Sequence, residues 1–157
     1  MEPEIDMESI SAVSEIELMY KSKVKSFLRP KVIHSRDAYL IFLKYWDKNK
    51  IELTEQFAAM FMNRANKVLA IFQLSSGGIT GTIADSRLIF VAALKVGACS
   101  MVLCHNHPSG NLLPSKSDEE FTMKIKQAGK LLEINLLDHI ILTPSEGYFS
   151  MADNGMI

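Results

Sequence analysis

The stretch "ACSMVLCHNHPSGNLLPSKSDEEFTMKIKQAGKLL", residues 98–132, joins three patterns in one run. Residues 98–104 are apolar on both faces of an extended chain, as expected of a strand in the middle of a sheet. Residues 105–115 are polar and carry Pro108, Gly110 and Pro114, so the chain turns there. From Ser117 the pattern is that of an amphipathic helix. Asp118 and Glu119 open it and lysines follow further along, which suits the helix dipole. A buried strand, a turn and an amphipathic helix in succession are the unit of a layered α/β domain.

The flanking sequence extends this architecture. Upstream, "SRDAYLIFLKYWD" reads as a helix with Ser35 as its N-cap. "EQFAAMFMN" and "VLAIFQLS" read as a strand pair, the second ending at Gly77 and Gly78. "ADSRLIFVAALKVG" reads as a helix capped by Asp85 or Ser86, with Gly97 just past its end. Downstream, "INLLDHIILT" and "GYFSM" read as closing strands. The expected fold is α/β, a mixed β-sheet flanked by helices, because a strand pair sits among strand–helix alternations. Residues 1–30 are expected to form an N-terminal extension, loose at its acidic start. They include one candidate strand, "EIELMYKS", where Ile16, Leu18 and Tyr20 alternate. Residues 31–157 form the domain proper.

Bulk properties exclude several classes. The chain has 157 residues, 48% hydrophobic and 22% charged, with a net charge of −1. That is ordinary for a globular domain with a real core, and it gives no overall pull toward nucleic acid. No apolar run nears the roughly 20 residues that span a bilayer. The acidic "MEPEIDMESI" is neither a secretory signal nor a transit peptide. Cys99 and Cys104 read as reduced thiols of a cytoplasmic protein.

The chemistry concentrates in "HNHPSGNLLPSKSD". In an extended chain the side chains of His105 and His107 point to one side. If the turn folds back, Asp118 in the first turn of the next helix adds an oxygen to two nitrogens. Three protein ligands leave one tetrahedral position for water, the catalytic arrangement for zinc. Such a site needs a general base near the water and gains from a donor aimed at the developing oxyanion. Ser115 is a candidate for that donor. Spacing alone does not choose the base among the acids upstream.

His105, His107, Pro108, Ser115 and Asp118 fill every fixed position of the His-x-His-Pro…Ser-x-x-Asp signature of the JAB/MPN metalloproteases, the JAMM motif. The asparagine between the histidines and the "PSG" after them resemble the RadC branch, as do "SSGGITGT" and "LLDHIIL". The likeness runs from about residue 35 to the end. It implies a JAB/MPN core, related in idea to cytidine deaminases, in which His105, His107 and Asp118 hold Zn2+ and Ser115 faces the oxyanion. A glutamate at the head of the strand pair serves as base. Glu55 matches that position, and Glu52 matches less well. The implied reaction is hydrolysis of a peptide or isopeptide bond in a peptide or protein substrate.

Plainer readings stand beside this one. "SKSD" satisfies a capping box, so Ser115 and Asp118 also read as an ordinary helix start. His139, inside an apolar strand, reads as a core histidine first and as a neighbour of the ligands second. His34 reads as a loop residue. Cys104 faces away from its neighbour His105, and the methionines read as core filling. The letters "HNH" match a nuclease name, but that class spreads those residues over a ββα unit. A zinc deaminase lacks support because its P-C-x-x-C partner is missing. RadC proteins are traditionally labelled DNA-repair factors, and longer members carry a helix-hairpin-helix domain of which residues 1–30 show no motif. A DNA-associated or non-catalytic protein-binding module is therefore the alternative function. The charge does not support a nucleic-acid partner, and a homo-oligomer is left open.

Overall fold

The computed structural model describes residues 14, 17–76, 84–145 and 147–157. Helix α1 (Ser35–Tyr45) is followed by strands β1 (Gln56–Met62) and β2 (Val68–Ser76), helix α2 (Ser86–Lys95) and strand β3 (Ser100–Asn106). Helix α3 (Lys116–Leu131) and strands β4 (Asn135–Leu142) and β5 (Tyr148–Ser150) complete the order. The sheet runs β2-β1-β3-β4-β5. It is mixed: β3 and β4 are parallel through the α3 crossover, and the other neighbours are antiparallel. The mixed α/β fold is the one expected from the strand–helix pattern.

All residues of β1 and β3 are buried, as their two-faced apolar sequence requires. On one face, Ala38, Phe42 and Trp46 of the α1 region pack on Ala58, Met60, Val102, Cys104 and Ile140. On the other, Ile89 and Ala93 of α2 and Ile125 of α3 pack on Ala59, Phe61, Met101, Leu103 and Leu136. The sheet thus separates two apolar layers, an α1 face and an α3 face.

Three details position the site. First, Ser115 caps α3, as the "SKSD" pattern predicts. Second, α3 ends in a close turn into β4, where the Gly129 carbonyl accepts N–H groups from Leu132 (3.1 Å) and Ile134 (2.8 Å). A Cβ on Gly129 would overlap the carbonyl oxygen of Ile134, so glycine is required there. Third, the β3–β4 register slips by one residue between the Met101–Leu136 and Val102–Asp138 pairs. Leu137 is the extra residue. The slip brings His139 beside Leu103 on the α3 face and turns Asp138 toward α1 beside Val102.

Two expectations differ from the structure. Glu17–Ser22 form no strand, and Leu18 is 87% exposed. Alternation produces a strand only where a ladder accepts it, and here the Tyr20 hydroxyl donating to the Leu69 carbonyl tethers the segment by a side chain instead. Ile16 lies outside the described residues, as do Gly77, Gly78 and the rest of residues 77–83, most of "SSGGITGT". Helix α1 begins at Ser35 with His34 as its cap, one residue earlier than expected. The Asp37 carboxylate reaches back to the N–H groups of Ile33 and His34, which fixes the earlier start.

Candidate metal centre

Strand β3 sends its last side chains alternately to the two faces. His105 goes to the α3 face and is fully buried, its ring parallel to that of Phe57 at 5.9 Å. The N–H of His107 still bonds the Leu142 carbonyl (2.8 Å), so the chain stays extended one residue past the strand. His107 therefore returns to the side of His105. The turn then reverses, with Gly110 at φ +82° and its N–H on the His107 carbonyl. At the start of α3, Asp118 Oδ2 accepts the Ser115 N–H (2.7 Å) and hydroxyl (2.6 Å). The capping box aims the carboxylate back at the histidines.

Three donor atoms meet as a result. His105 Nε2 lies 2.9 Å from His107 Nε2 and 3.4 Å from Asp118 Oδ1, and His107 Nε2 lies 3.6 Å from Asp118 Oδ2. Ligand atoms roughly 2.0–2.1 Å from a tetrahedral zinc stand about 3.3 Å apart. The spacing and the N,N,O donor set fit zinc, and the three residues form a group able to hold a metal ion. The His107 tautomer is fixed as well. Its Nδ1 faces the Asn111 carbonyl at 2.7 Å, and a carbonyl only accepts, so Nδ1 carries a proton; in the charged ring Nε2–H faces His105 and Asp118, and in the neutral ring Nε2 offers its lone pair.

The electrostatics agree with shared negative charge. Burial pushes the Asp118 carboxyl upward, but the rings of His105 and His107, and then Ser115, outweigh it and hold the group far below the usual carboxylate range. His107 is raised, first by its bond to Asp118, against burial, with help from the Asn111 carbonyl and the charges of Asp118 and Glu55.

Glu55 precedes β1. Phe57 pairs with His105 in the antiparallel register, so the same register continued two residues sets Glu55 opposite His107. Glu52 sits exposed on the turn before it. What holds this turn is Asn106, whose role the sequence reading missed. Asn106 is fully buried on the α1 side. Its amide donates to the carbonyls of Ile51 (2.8 Å) and Thr54 (3.0 Å), and its oxygen accepts the Gln56 N–H (2.8 Å). Both neighbours of Glu55 are clamped by the residue between the two histidines. The available signal was alternation: an asparagine pointing opposite to two inward histidines at the end of a buried strand needs buried partners.

His139 is a core histidine and also touches a ligand, because its Nε2 is 2.7 Å from His105 Nδ1. Burial, first of all, holds its pKa well below the ordinary imidazole value. Cys104 lies in the α1-side core, where burial pushes the thiol up, and is not part of the group. His34 caps α1, away from the three ligands. Ser115 stands beside the carboxylate, with its proton on Asp118. Among the described residues no helix is long and apolar enough to cross a membrane.

Comparison with known proteins gives the family. The RadC-like JAB domain family matches residues 32–156. A UPF0758 protein of Flavobacterium johnsoniae is 41% identical over 153 residues, covering 96% of this chain and 65% of that protein. A UPF0758 protein of Rubrobacter xylanophilus is 39% identical over 103 residues, 66% of this chain and 44% of its own length. One of Clostridium botulinum is 37% identical over 115 residues, 73% of this chain and 47% of its own. The chain thus spans less than two thirds of the length of these curated relatives. With the family match running over both sheet faces and the whole His-x-His…Asp unit, the chain belongs to the RadC-like JAB domain family.

Proposed function

We propose that this chain is a cytoplasmic zinc hydrolase that cleaves a peptide or isopeptide bond. The observation that carries the reading is the convergence of His105 Nε2, His107 Nε2 and the Asp118 carboxylate beside Glu55. His105, His107 and Asp118 would hold Zn2+ and leave one position for water. Bound zinc lowers the pKa of such a water to about 7 and polarises the substrate carbonyl. Glu55, steadied by the Asn106 clamp on its neighbours, accepts the proton of the attacking water and returns it to the departing nitrogen. Water oxygen bonds to the carbonyl carbon as the C–N bond breaks; the nitrogen leaves as the amine with the proton relayed by Glu55, and the other water proton stays with the new carboxyl group. The Ser115 hydroxyl, turned from Asp118 toward the carbonyl oxygen, donates to the negative charge that develops there.

Elemental analysis of protein purified without chelators tests the metal assignment. Wild type is expected to carry about one zinc per chain and the His105→Ala/His107→Ala variant less than a tenth of that. Equal zinc in both sinks the reading. In a peptide-library assay, Glu55→Gln is expected to keep the metal and to lose about 10²–10⁴-fold in hydrolysis, the range for a general base.

A further inference from the structure

Both ring nitrogens of His105 are engaged. Nε2 faces His107 and Asp118, while Nδ1 lies 2.7 Å from Nε2 of His139. The other nitrogen of His139, Nδ1, lies 2.6 Å from Thr122 Oγ1. Thr122 Oγ1 in turn lies 2.6 Å from the backbone carbonyl oxygen of Asp118. His105, His139 and Thr122 are all fully buried, so they take their partners from within the protein; Thr122 Oγ1 also faces Met151 Sδ at 3.5 Å, a weak acceptor. The row starts at one ligand and ends on the backbone of another.

Its last member sets its direction. A carbonyl oxygen accepts and cannot donate. The single Thr122 proton therefore goes to the Asp118 carbonyl at 2.6 Å rather than to the weaker and more distant Met151 sulfur at 3.5 Å, and the Thr122 oxygen accepts from His139 Nδ1–H. A neutral imidazole has one N–H, so His139 Nε2 must accept, and His105 Nδ1 donates to it. That leaves His105 Nε2 with a lone pair pointing at the donor group. If the Thr122 proton pointed at His139 instead, every donor would reverse. His105 would then carry its proton on Nε2, where it blocks a cation.

We propose that Thr122 and His139 are positioning residues that select the Nδ1–H tautomer of His105 and so make it a metal ligand. The inference rests on the zinc reading for its purpose and on the hydrogen-bond row for its content. The row also ties the ring of His105 to the first turn of α3. One buried unit therefore orients two of the three ligands, as expected of groups that support a metal site.

Two measurements on Thr122→Val, Thr122→Ser and His139→Gln test this. The first is long-range ¹⁵N–¹H correlation of the His105 imidazole in metal-free protein. The second is zinc affinity by competition with a chromophoric chelator. Wild type is expected to show Nδ1–H. Thr122→Val removes the proton that sets the direction, so the Nε2–H form should appear and zinc affinity should fall about 10–100-fold. Thr122→Ser should restore both. The His139→Gln side chain accepts from His105 and donates to Thr122, so it should keep the tautomer and stay within about threefold of wild-type affinity. A folded Thr122→Val with unchanged tautomer and affinity overturns the proposal. So does Nε2–H in wild type, or in His139→Gln should Thr122→Val fail to fold. Failure of wild type to bind zinc would sink the hydrolase reading alone, because the tautomer is read without metal.

Discussion

On the α1 face of the sheet, Asn106 and Asp138 are buried with their hydrogen bonds ending on backbone or on a serine. Asn106 holds Ile51, Thr54 and Gln56, while Asp138 accepts from the N–H groups of His139 (2.7 Å) and Ala152 (3.0 Å) and from the Ser150 hydroxyl (2.6 Å). On the α3 face, His105, His139 and Thr122 are as deeply buried, but they are linked side chain to side chain, with only the last bond ending on the Asp118 backbone, and they leave three donor atoms converging. Burial of polar groups is common to both faces. What separates them is whether the remaining lone pairs are used up locally. An opening alone is no guide, since a cavity of about 430 Å³ lies on the α1 side, lined by His34, Ser35, Asp138 and Asp153. Those groups include Ser35 and Asp153 bonded to each other, and they gather no ligand set.

The largest expected effect that would undo this contrast is on the α1 side. Asn106→Ala strips partners from two carbonyls and one N–H, each costing about 1–3 kcal/mol if left unsatisfied and less where water reaches it. A loss of about 3 kcal/mol in urea unfolding is expected, with hydrolysis reduced because the Glu55 turn loosens. Zinc affinity should stay within a few-fold, since no ligand is bonded to Asn106. A drop in zinc affinity as large as that of a ligand substitution would mean that the two faces are not separable.

Much of this contrast could be read in the sequence, and the part that could not has a definite cause. Both-faced apolar runs announced β1 and β3, and "SKSD" announced the α3 cap together with the Asp118 position. The histidines two apart gave the converging pair because His107 stays extended. His139 was different. Counting by twos from Leu136 sends Asp138, not His139, to the α3 face, and only the extra residue at Leu137 reverses this. A bulge leaves no periodic trace in one sequence. Thr122 was hidden for another reason: a buried threonine on a helix reads as packing until the histidine beside it is known. The alternation at Ile16–Tyr20 misled because it carries no information on whether a ladder is available.

A second test acts on the α3 face. His107 must be neutral to bind zinc, and its pKa is raised, chiefly by Asp118. Protons therefore begin to compete at a pH above the ordinary imidazole value of about 6.5, and each unit below the raised value costs up to about tenfold in affinity per displaced proton. Zinc affinity measured between pH 5.5 and 8.5 should fall on the acid side, starting above 6.5. Glu55→Gln should move the onset to lower pH, because Glu55 contributes to the raised value. An onset that ignores Glu55 would separate it from the site.

The smallest effect is expected at Asp138. Burial, as the largest cause, raises its carboxyl, while the bonds from Ser150, Ala152 and His139 lower it without restoring the ordinary value. The sign follows from that balance. With a folded pKa above the unfolded one, the protonated form favours folding. This contribution is complete below the unfolded pKa of about 3.9 and fades as pH rises through the raised value. At pH 7 wild type therefore gains little from the charge, and Asp138→Asn keeps one oxygen for the two N–H groups and an amide for the Ser150 oxygen. Its unfolding free energy should lie within about 1 kcal/mol of wild type at pH 7, as for a substitution that preserves its hydrogen bonds. As the solution is acidified, wild type should gain on the variant. Unchanged zinc affinity in Asp138→Asn would keep the α1 side structural. A shift in affinity would show that the His139 backbone, held by Asp138, transmits to His105 through the bulge.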